Sequence, residues 1–567
     1  MKCNPFFIFK VRLLCTFFLF LSTVLLAQPE FHQRLKPDSR YSVLFNMVHH
    51  NPGEPRFSTK YTNPEYIEDL GYNGQVLKME VQCGLTYDDW EDNVIPEDSE
   101  EKMWILRHAA SVRTKLGLAE KAGIPVYPFI DMLVLPISIL EKYKSELMEG
   151  DRLSIRKPKT QELIRAQIKE LFIRYPTLDG ITTRHGETYL HDTPFHKGGS
   201  PVGSPEEHAI LINLLREEVC IKRNKKLFYR TWDFDGFHVR PDFYLAATNA
   251  VEPHPLLYFS VKHTNADFLR NYPFNKTIGL GKHQQIVEVS MNQAGLYGRN
   301  GHPYYIGTGI IEGWPEMDHK KGLQDLYDDP KIKGVWTWCW GDGWVGPYFD
   351  NELWVDLNEY VIRTYVCNPK RSEQEIFETY AKEKLRLSDT DAQKLRELCM
   401  LSVDAVFYGQ DTNQFQTIPW YIRDHYMTGI RLENVVKNNI VDTILSEKAS
   451  AVKKWYKMEA LSKEIQMSNA EDKEFLEVST TYGRIKYEII EQIWKIQILL
   501  AQHEQGKKMD KKAAQKAVDT YHQKWKEWRA LRKQYPSCPT LYVDHKAVHI
   551  QWFEPFQKSL EQIQTLL

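Results

Sequence analysis

The chain has 567 residues, of which 42% are hydrophobic and 26% are charged, and its formal net charge is −2 at pH 7. This is the composition of a globular protein that is long enough for more than one hydrophobic core. Nucleic acid is excluded as an expected partner, because a near-neutral chain lacks the basic face that such binding requires.

The amino terminus has the pattern of a secretory signal peptide. Basic residues, Lys2, Lys10 and Arg12, precede an apolar run over Leu13–Leu26, which a small residue follows. This order is typical of an export signal, and the run is too short to span a membrane comfortably. We therefore expect a signal peptide over residues 1–27 and an exported protein, periplasmic or extracellular, with no membrane span in the mature chain.

Residues 28–368 alternate between short apolar runs and segments of helical periodicity. The runs that predict strands are Tyr41–Val48, Gln75–Gln82, Ile124–Leu135, a run that starts at Gly180, Lys226–Trp232, Leu256–Lys262, Gln285–Met291, Tyr304–Ile310 and Gly334–Trp340. Helices are predicted at Glu101–Ala122, Thr160–Arg174 and Pro205–Ile221. This alternation favours an α/β fold with a parallel sheet, and roughly eight strands fit a (β/α)8 TIM barrel. An open doubly wound sheet is the alternative, without a Gly-rich phosphate loop to favour it.

Residues 369–567 have a different sequence pattern, with long charged segments of helical periodicity and few segments that predict strands. Helices are predicted at Ser372–Glu383, Asp389–Val406, Thr443–Met467, Asp472–Glu504 and Lys511–Tyr535. The pattern predicts an all-helical C-terminal domain packed on the barrel. This domain is also the candidate surface for a homodimer.

Metal and cofactor sites are not expected. The cysteines that follow the signal peptide are widely scattered, without a Cys-x-x-Cys pair, and most are expected to be buried small hydrophobic residues. The pair His49-His50 has no Asp/Glu/His cluster at suitable local spacing, so a metal role is not supported.

The segment Tyr175–Tyr189, YPTLDGITTRHGETY, nominates a catalytic acid. It predicts a helix end, a turn, a buried strand and then Glu187 beside Gly186. Residues at the C-terminal ends of barrel strands face the active site, and a carboxylic acid there can protonate a leaving group.

Further polar groups lie at predicted strand ends: Arg230, Lys262, Asp267 and Glu288. Glycoside hydrolysis uses one protonated carboxyl to aid the leaving oxygen and one ionised carboxyl to activate water. Glu187 and Asp267 come from different strands and are predicted to face each other across the barrel mouth. Arg230 and Lys262 either bind a substrate carboxylate or form ion pairs that stabilise the barrel. Glu288 is either a catalytic or substrate-binding residue or a structural partner to a barrel lysine.

Several stretches resemble the barrel core of glycoside hydrolase family 67, the α-glucuronidases. They are LLYFSVKHTNADF, GKHQQIVEVSMNQAGLYG, HPYYIG and KGVWTWCWGDGWVGPYFDNELWVDLNEYVIRTYVCNP. The resemblance covers roughly residues 165–370. It implies a (β/α)8 barrel followed by a helical domain. It also implies an inverting exo-enzyme that removes glucuronic acid, or its 4-O-methyl ether, from xylan fragments.

Carried over residue by residue, the resemblance implies a general acid at Glu187 and a catalytic aspartate at Asp267. It also implies that Lys262 contacts the uronate and that Arg230 contacts the substrate. Ala294 stands where the family has a second base-side glutamate, and Thr183 stands where it has a second uronate-binding lysine.

Two neighbours of position 183, Arg184 and His185, are therefore candidate substrate-binding residues. Trp340 is another, because Trp336, Trp338 and Trp340 alternate along the last strand and share one face of it. If that face is the inner one, Trp340 can form the floor of a sugar subsite; otherwise the three belong to the core.

Three functions remain open at this point. The first is an exported exo-acting hydrolase, inverting in mechanism, that removes a uronic acid from an oligosaccharide. The second is a hydrolase of the same mechanism that acts on a neutral or sulfated sugar, which Thr183 motivates. The third is a glycan-binding barrel without catalysis, which Ala294 motivates. The sequence does not fix the sugar or its linkage.

Overall fold

The structure is a computed structural model. It describes residues 36–38, 40–49, 58–188, 190, 192–233, 236–265, 268, 270, 272–291, 301–317, 320–340, 351–414, 432–536 and 556–567, with only the backbone of Trp340.

Eight parallel strands close into a barrel, which confirms the expected (β/α)8 architecture. They are β1 (Val43–His49), β2 (Gly74–Leu77), β3 (Val126–Asp131), β4 (Gly180–Arg184), β5 (Lys226–Arg230), β6 (Leu257–Lys262), β7 (Gln284–Ser290) and β8 (Ile332–Trp340). The ring closes where β1 pairs with β8, with Met47 opposite Trp338. Because the strands are parallel, all their C-terminal ends lie at one end of the barrel.

Helices connect the strands and cover the outside of the barrel. They are α1 (Pro64–Asp69), α2 (Glu100–Ala122), α3 (Ile137–Leu147), α4 (Pro158–Arg174), α5 (Pro205–Leu215), α6 (Pro241–Asn249), α7 (Gly307–Ile311) and α8 (Leu353–Cys367). Local sequence sets their ends. Ser99 accepts a hydrogen bond from the backbone of Lys102 at the start of α2, and Gly123 ends that helix in a left-handed conformation.

The strand predicted at Tyr304–Ile310 is wrong. These residues are buried but form an irregular segment that leads into α7. The backbone N–H of Tyr305 donates to the Ser402 hydroxyl at 3.0 Å, and that of Ile306 donates to the Asn358 side chain at 2.9 Å. Side chains of neighbouring helices thus satisfy the backbone donors that a strand would pair with a sheet neighbour.

Side chains alternate between the barrel interior and the helix-facing side along each strand. The interior cluster is largely aromatic and contains Val43, Phe45, Met47, Val76, Tyr127, Phe129, Phe228, Tyr258, Phe268, Ile286, Trp336 and Trp338. Phe45 stacks on Tyr127 with ring centroids 4.6 Å apart, and Phe228 stacks on Tyr258 at 4.9 Å. The lower barrel is therefore a packed core, and polar groups lie above it towards the strand ends.

The predicted C-terminal helices are present. They are α9 (Glu373–Thr379), α10 (Asp389–Gln410), α11 (Leu432–Lys437), α12 (Val441–Glu464), α13 (Ala470–Glu504), α14 (Lys511–Gln534) and α15 (Phe556–Leu566). A wider helical turn, Tyr380–Lys384, extends α9. The helical region contacts the barrel through Trp354, whose indole N–H donates to the Ser479 hydroxyl at 3.2 Å.

No helix among the described residues is long and apolar enough to cross a membrane. Of the five described cysteines, four are buried and Cys367 is half-buried. The expected signal peptide at residues 1–27 lies outside the described residues and stays a prediction, as do the exact domain boundaries and the homodimer.

Candidate functional site

The C-terminal ends of the barrel strands bring a set of ionisable side chains together, and we call this set the barrel mouth. Its members lie on inward-facing positions or directly after the strands: Lys78, Glu80, Asp131, Arg184, Glu187, Arg230, Lys262 and Glu288. Lys78 follows β2 on the same side as the interior residue Val76, because side chains alternate along the extended chain. The mouth therefore combines several cations and carboxylates in one basin.

Glu187 lies three residues after β4, at the rim of this basin. A Cβ atom at the preceding Gly186 would stand 2.5 Å from the Asp233 Cα and 2.7 Å from the Trp232 carbonyl oxygen. Only glycine allows the β4 loop to approach the end of β5 so closely. The Glu187 side chain is 14% exposed, and its Oε2 lies 4.0 Å from Arg184 Nη1. Glu187 is thus held at the mouth and stays accessible to a substrate.

Arg184, a predicted substrate-binding residue, faces the mouth but is engaged with Asp131. Its Nε and Nη2 donate to the two carboxylate oxygens of Asp131, with Nη2 to Oδ2 at 2.6 Å. The pairing follows from the sheet register, which sets Asp131 of β3 opposite Arg184 of β4. Both side chains are buried, so the pair forms a rigid support beside Glu187 and its charges compensate each other.

Arg230 and Glu288 form a second buried pair in the centre of the barrel. Arg230 donates to both carboxylate oxygens of Glu288, at 2.7 and 2.8 Å, and the Ser260 hydroxyl donates to Glu288 at 2.8 Å. Of the two roles that the sequence left open for Glu288, the structure shows the ion pair, with Arg230 rather than a lysine as its partner. Bidentate pairing of this kind fixes both side chains.

Lys262 lies at the end of β6 and is enclosed by aromatic rings. Its Nζ is 3.5 Å from the ring centroid of Trp232, 4.9 Å from that of Phe268 and 5.8 Å from that of Trp338. Only 4% of the residue is exposed. Ring faces attract a cation, so the three rings help to hold the Lys262 side chain at the mouth.

His185 is not brought to the mouth. It follows Arg184 on the opposite side of the chain, and its ring lies 4.6 Å from that of His208 and 4.9 Å from that of Tyr229, in the layer between barrel and helices. Burial lowers its pKa well below the usual value for histidine, with a smaller effect of His208. Thr183 faces the same layer, since it pairs with Tyr229.

Lys78 and Glu80 are mouth residues that the sequence did not single out. They fall within the predicted strand Gln75–Gln82, whereas β2 ends at Leu77. Lys78 Nζ lies 3.9 Å from Glu80 Oε1. Burial lowers the pKa of Lys78, and Arg184 lowers it further; burial raises the pKa of Glu80.

The backbone at Glu80 is strained, with φ at +44°. His108 of α2 holds this conformation, because its Nε2 donates to the Glu80 carbonyl oxygen at 3.0 Å. Non-glycine residues in this conformation concentrate at functional sites. The signal in the sequence was the pair of charges in an otherwise apolar run.

Several predicted site residues lie outside the described residues: Asp267, Ala294 and the side chain of Trp340. Their expected roles remain predictions. Trp336 and Trp338 do face the barrel interior. Among the described residues, no group of three or more His, Cys, Asp or Glu side chains is placed to hold a metal ion.

A solved structure of a glycoside hydrolase shares this fold. A GH138 enzyme targeting pectin rhamnogalacturonan II superposes with a TM-score of 0.59 at 13% identity, over 93% of this chain and 67% of its own. An O-GlcNAc hydrolase from Thermobaculum terrenum gives a TM-score of 0.40 at 10% identity, over 92% of this chain and 94% of its own.

These likenesses concern the fold alone, because the sequences are far apart. No protein-family model matches the sequence, and no curated protein matches it. The resemblance to family 67 therefore stays a hypothesis from the sequence. The likeness to the GH138 enzyme covers 93% of this chain, so it extends beyond the barrel into the C-terminal helices.

Proposed function

We propose that this protein is an exo-acting glycoside hydrolase that removes a uronic acid from a complex glycan with inversion of configuration. The observation that carries the proposal is Glu187, a partly exposed carboxyl beside Gly186 at the C-terminal end of β4 in a closed parallel barrel. This is the edge at which barrel enzymes place their catalytic groups. The similar GH138 structure is described as an enzyme targeting a pectin, which supports a complex glycan as the substrate.

In this proposal Glu187 donates a proton to the glycosidic oxygen as the bond to the anomeric carbon breaks. Asp267 accepts a proton from water, whose oxygen attacks the anomeric carbon from the opposite face of the sugar. The sugar leaves as the inverted hemiacetal, and the remaining glycan leaves with a new hydroxyl. Inversion requires a separation of about 6.5–9.5 Å between the two carboxyl groups to admit the water.

Selection for a carboxylate on the sugar is assigned to Lys262. The guanidinium groups of Arg184 and Arg230 are each engaged by one carboxylate, Asp131 and Glu288 respectively, so they position the site. The Lys262 ammonium lies at the same strand ends, close to the rings of Trp232, Phe268 and Trp338. A substrate carboxylate placed there gains a charge-assisted hydrogen bond in a water-poor environment.

The test is proton NMR of the purified protein with 4-O-methylglucuronosyl xylo-oligosaccharides, pectin rhamnogalacturonan II and a panel of other acidic oligosaccharides. We expect a free uronic acid of inverted anomeric configuration, and its loss in Glu187→Ala and Asp267→Ala. The matched control is Glu252→Ala, since Glu252 is 81% exposed in the loop before β6 at the opposite end of the barrel. Unchanged turnover in Glu187→Ala contradicts the catalytic assignment.

A second candidate is a hydrolase of the same mechanism that acts on a neutral or sulfated sugar. The compensated charges of Arg184 and Arg230 favour it. Thr183 does not bear on this choice, because position 183 faces the helix layer and a lysine there would point away from the mouth. Release of a neutral or sulfated sugar in the same NMR panel, without release of any uronic acid, would select this candidate. Tight binding without turnover would select the glycan-binding barrel.

We further propose that the protein acts after export, on glycans outside the cytoplasm. The basic start and short apolar run of residues 1–27 support this. Amino-terminal sequencing of the protein recovered from its native host tests it. A mature chain that starts near Gln28 is expected, and retention of Met1 contradicts it.

A further inference from the structure

A second cavity lies on the flank of the barrel, outside the mouth. It has a volume of 670 Å³ and is bounded by α1, α8 and the wide turn Tyr380–Lys384 that follows α9. Among the described residues that line it, none belongs to the barrel mouth. The proposed catalytic reaction does not use this cavity, which we call the flank cleft.

Two ion pairs form part of the lining of the flank cleft. Lys60 pairs with Asp356, which also accepts a hydrogen bond from the Tyr61 hydroxyl at 2.7 Å. Arg363 pairs with Glu359 one helical turn earlier on α8. In total four basic and five acidic side chains line the cleft. A strongly ionic ligand would have to displace these existing pairs, which disfavours both anions and cations.

Tyrosine rings form the other part of the lining. Tyr66 and Tyr360 are half-buried, and Tyr360 lies with its ring centroid 5.1 Å from that of Tyr380. Burial raises the pKa of Tyr66 to about 12, with a further contribution from Asp356. The Tyr66 phenol therefore remains protonated at neutral pH and can donate a hydrogen bond. An apolar ring with a polar edge suits a ligand that has both C–H faces and hydroxyl groups.

We propose that the flank cleft binds a neutral stretch of glycan. Its volume lies within the range of about 300–1,000 Å³ that ligand pockets occupy, which is far more than a single ion requires. A polar lining disfavours a lipid or other apolar ligand, since unpaired polar groups would be buried against it. Neutral sugar units offer hydroxyl groups to the paired carboxylates and a C–H face to Tyr360.

The inference goes beyond the proposed reaction, because a chain whose acidic unit enters the mouth would be held by uncharged units elsewhere on the barrel. Binding at the flank cleft is independent of Glu187 and of turnover. The two proposals can therefore fail separately.

The test is isothermal titration calorimetry of the full-length mature protein with xylohexaose, cellohexaose and β-1,4-galactohexaose. We expect at least one of them to bind, and Tyr360→Ala to weaken that binding about tenfold through loss of the ring face. Tyr360→Phe keeps the ring and should retain binding within about threefold. Tyr456→Ala is the matched control, since Tyr456 is exposed on α12 and does not line the cleft.

Two further outcomes decide the proposal. Glu187→Gln should leave the binding of the neutral hexaoses unchanged; if that variant abolishes it, the sugars bind at the mouth and the inference is wrong. No binding of any hexaose, or equal affinity in wild type and Tyr360→Ala, also overturns it. A thermal melt of Tyr360→Ala that matches that of Tyr360→Phe shows that the loss of affinity does not come from unfolding.

Discussion

The barrel and the C-terminal helical region differ in where they place their buried charged side chains. The barrel interior contains two bidentate ion pairs, Arg184 with Asp131 and Arg230 with Glu288, above an aromatic floor. The interior of the helical region is mainly apolar, with Trp455, Trp494 and Trp528 fully buried, although Glu373, Lys448 and Lys486 are buried there as well. Its largest charged cluster surrounds Arg484 and lies partly exposed between helices.

This difference shows which part of the molecule is organised for chemistry. Burying charges costs desolvation free energy that pairing only offsets, so an apolar interior is the simpler route to stability. The helical region takes that route for most of its interior, although it also buries a few charged side chains such as Lys448 and Lys486. The barrel keeps charges at the mouth, where they hold Glu187 and Lys262 in a fixed electrostatic environment.

The largest expected effect comes from breaking one buried pair. Glu288→Ala leaves the Arg230 guanidinium buried without its partner, and we expect a loss of about 3–5 kcal/mol in the free energy of unfolding. Urea denaturation measures it. Trp455→Ala in the helical region should cost a similar amount, about 3–5 kcal/mol, by leaving a cavity.

A double substitution separates the cost of an unpaired buried charge from the cost of lost packing. Replacing both partners by apolar residues, Arg230→Met with Glu288→Leu, removes the buried charge altogether and should recover most of the stability lost in Glu288→Ala. No matching second substitution recovers the stability lost in Trp455→Ala, because that variant removes packing and no charge. If the double variant is as unstable as the single one, the Arg230–Glu288 pair contributes through packing, and the comparison of the two regions fails.

Acid should destabilise the barrel before the helical region. Burial lowers the pKa of His196, His208 and His263 to about 3, and all three lie in the barrel segment. Because an unfolded histidine titrates near 6.5, the unfolded chain binds more protons than the folded chain between about pH 3 and 6.5. Stability therefore falls as the pH drops through 6.5, by up to ~1.4 kcal/mol per pH unit for each histidine.

The substitution His196→Leu sharpens this test. Neither ring nitrogen of His196 has a hydrogen-bond partner among the described residues. Replacing His196 by leucine therefore removes no hydrogen bond. Denaturation at pH 7.5, 6.5 and 5.5 should show a smaller slope with pH in this variant. His522→Leu, at an exposed position on α14, is the control and should keep the wild-type slope. An unchanged slope in His196→Leu would contradict the role of buried His196 in the pH dependence of stability.

The smallest expected effect is on a surface pair of the helical region. Lys495 and Glu491 lie one turn apart on α13, with Nζ 2.9 Å from Oε1. Replacing Lys495 by glutamine should change the free energy of unfolding by no more than about 0.5 kcal/mol, because partly exposed pairs are screened by water and salt. Urea denaturation in low and high salt checks it. A loss above 2 kcal/mol would show that the helical region also depends on charge.

Periodicity in the sequence predicts most of the fold. Helix α2 begins within one residue of its predicted start, at Glu100 instead of Glu101, because its N-cap serine and its apolar spacing act locally. The strand prediction for Tyr304–Ile310 was wrong, because burial by packing against helices produces the same apolar pattern as burial in a sheet. Local sequence does not reveal which neighbour covers a run.

The site could be predicted only in part. Glu187 lies at the mouth as expected, because a strand followed by a glycine and a carboxyl is a local pattern. The pairing of Arg230 with Glu288 depends on the register of three neighbouring strands, which sequence alone does not give. His185 was misplaced because the side that a residue faces depends on the alternation along β4, and a shift of one residue reverses it.

The central claim, that Glu187 is the general acid of a glycosidase, is tested most directly by the dependence on the leaving group. Once the released sugar is known, its 2,4-dinitrophenyl glycoside provides a leaving group that needs no proton. We predict that Glu187→Gln loses about 10²–10⁴-fold in kcat on the natural glycan but retains near wild-type kcat on the aryl glycoside. Equal losses on both substrates, or no loss on the natural glycan, would contradict the account.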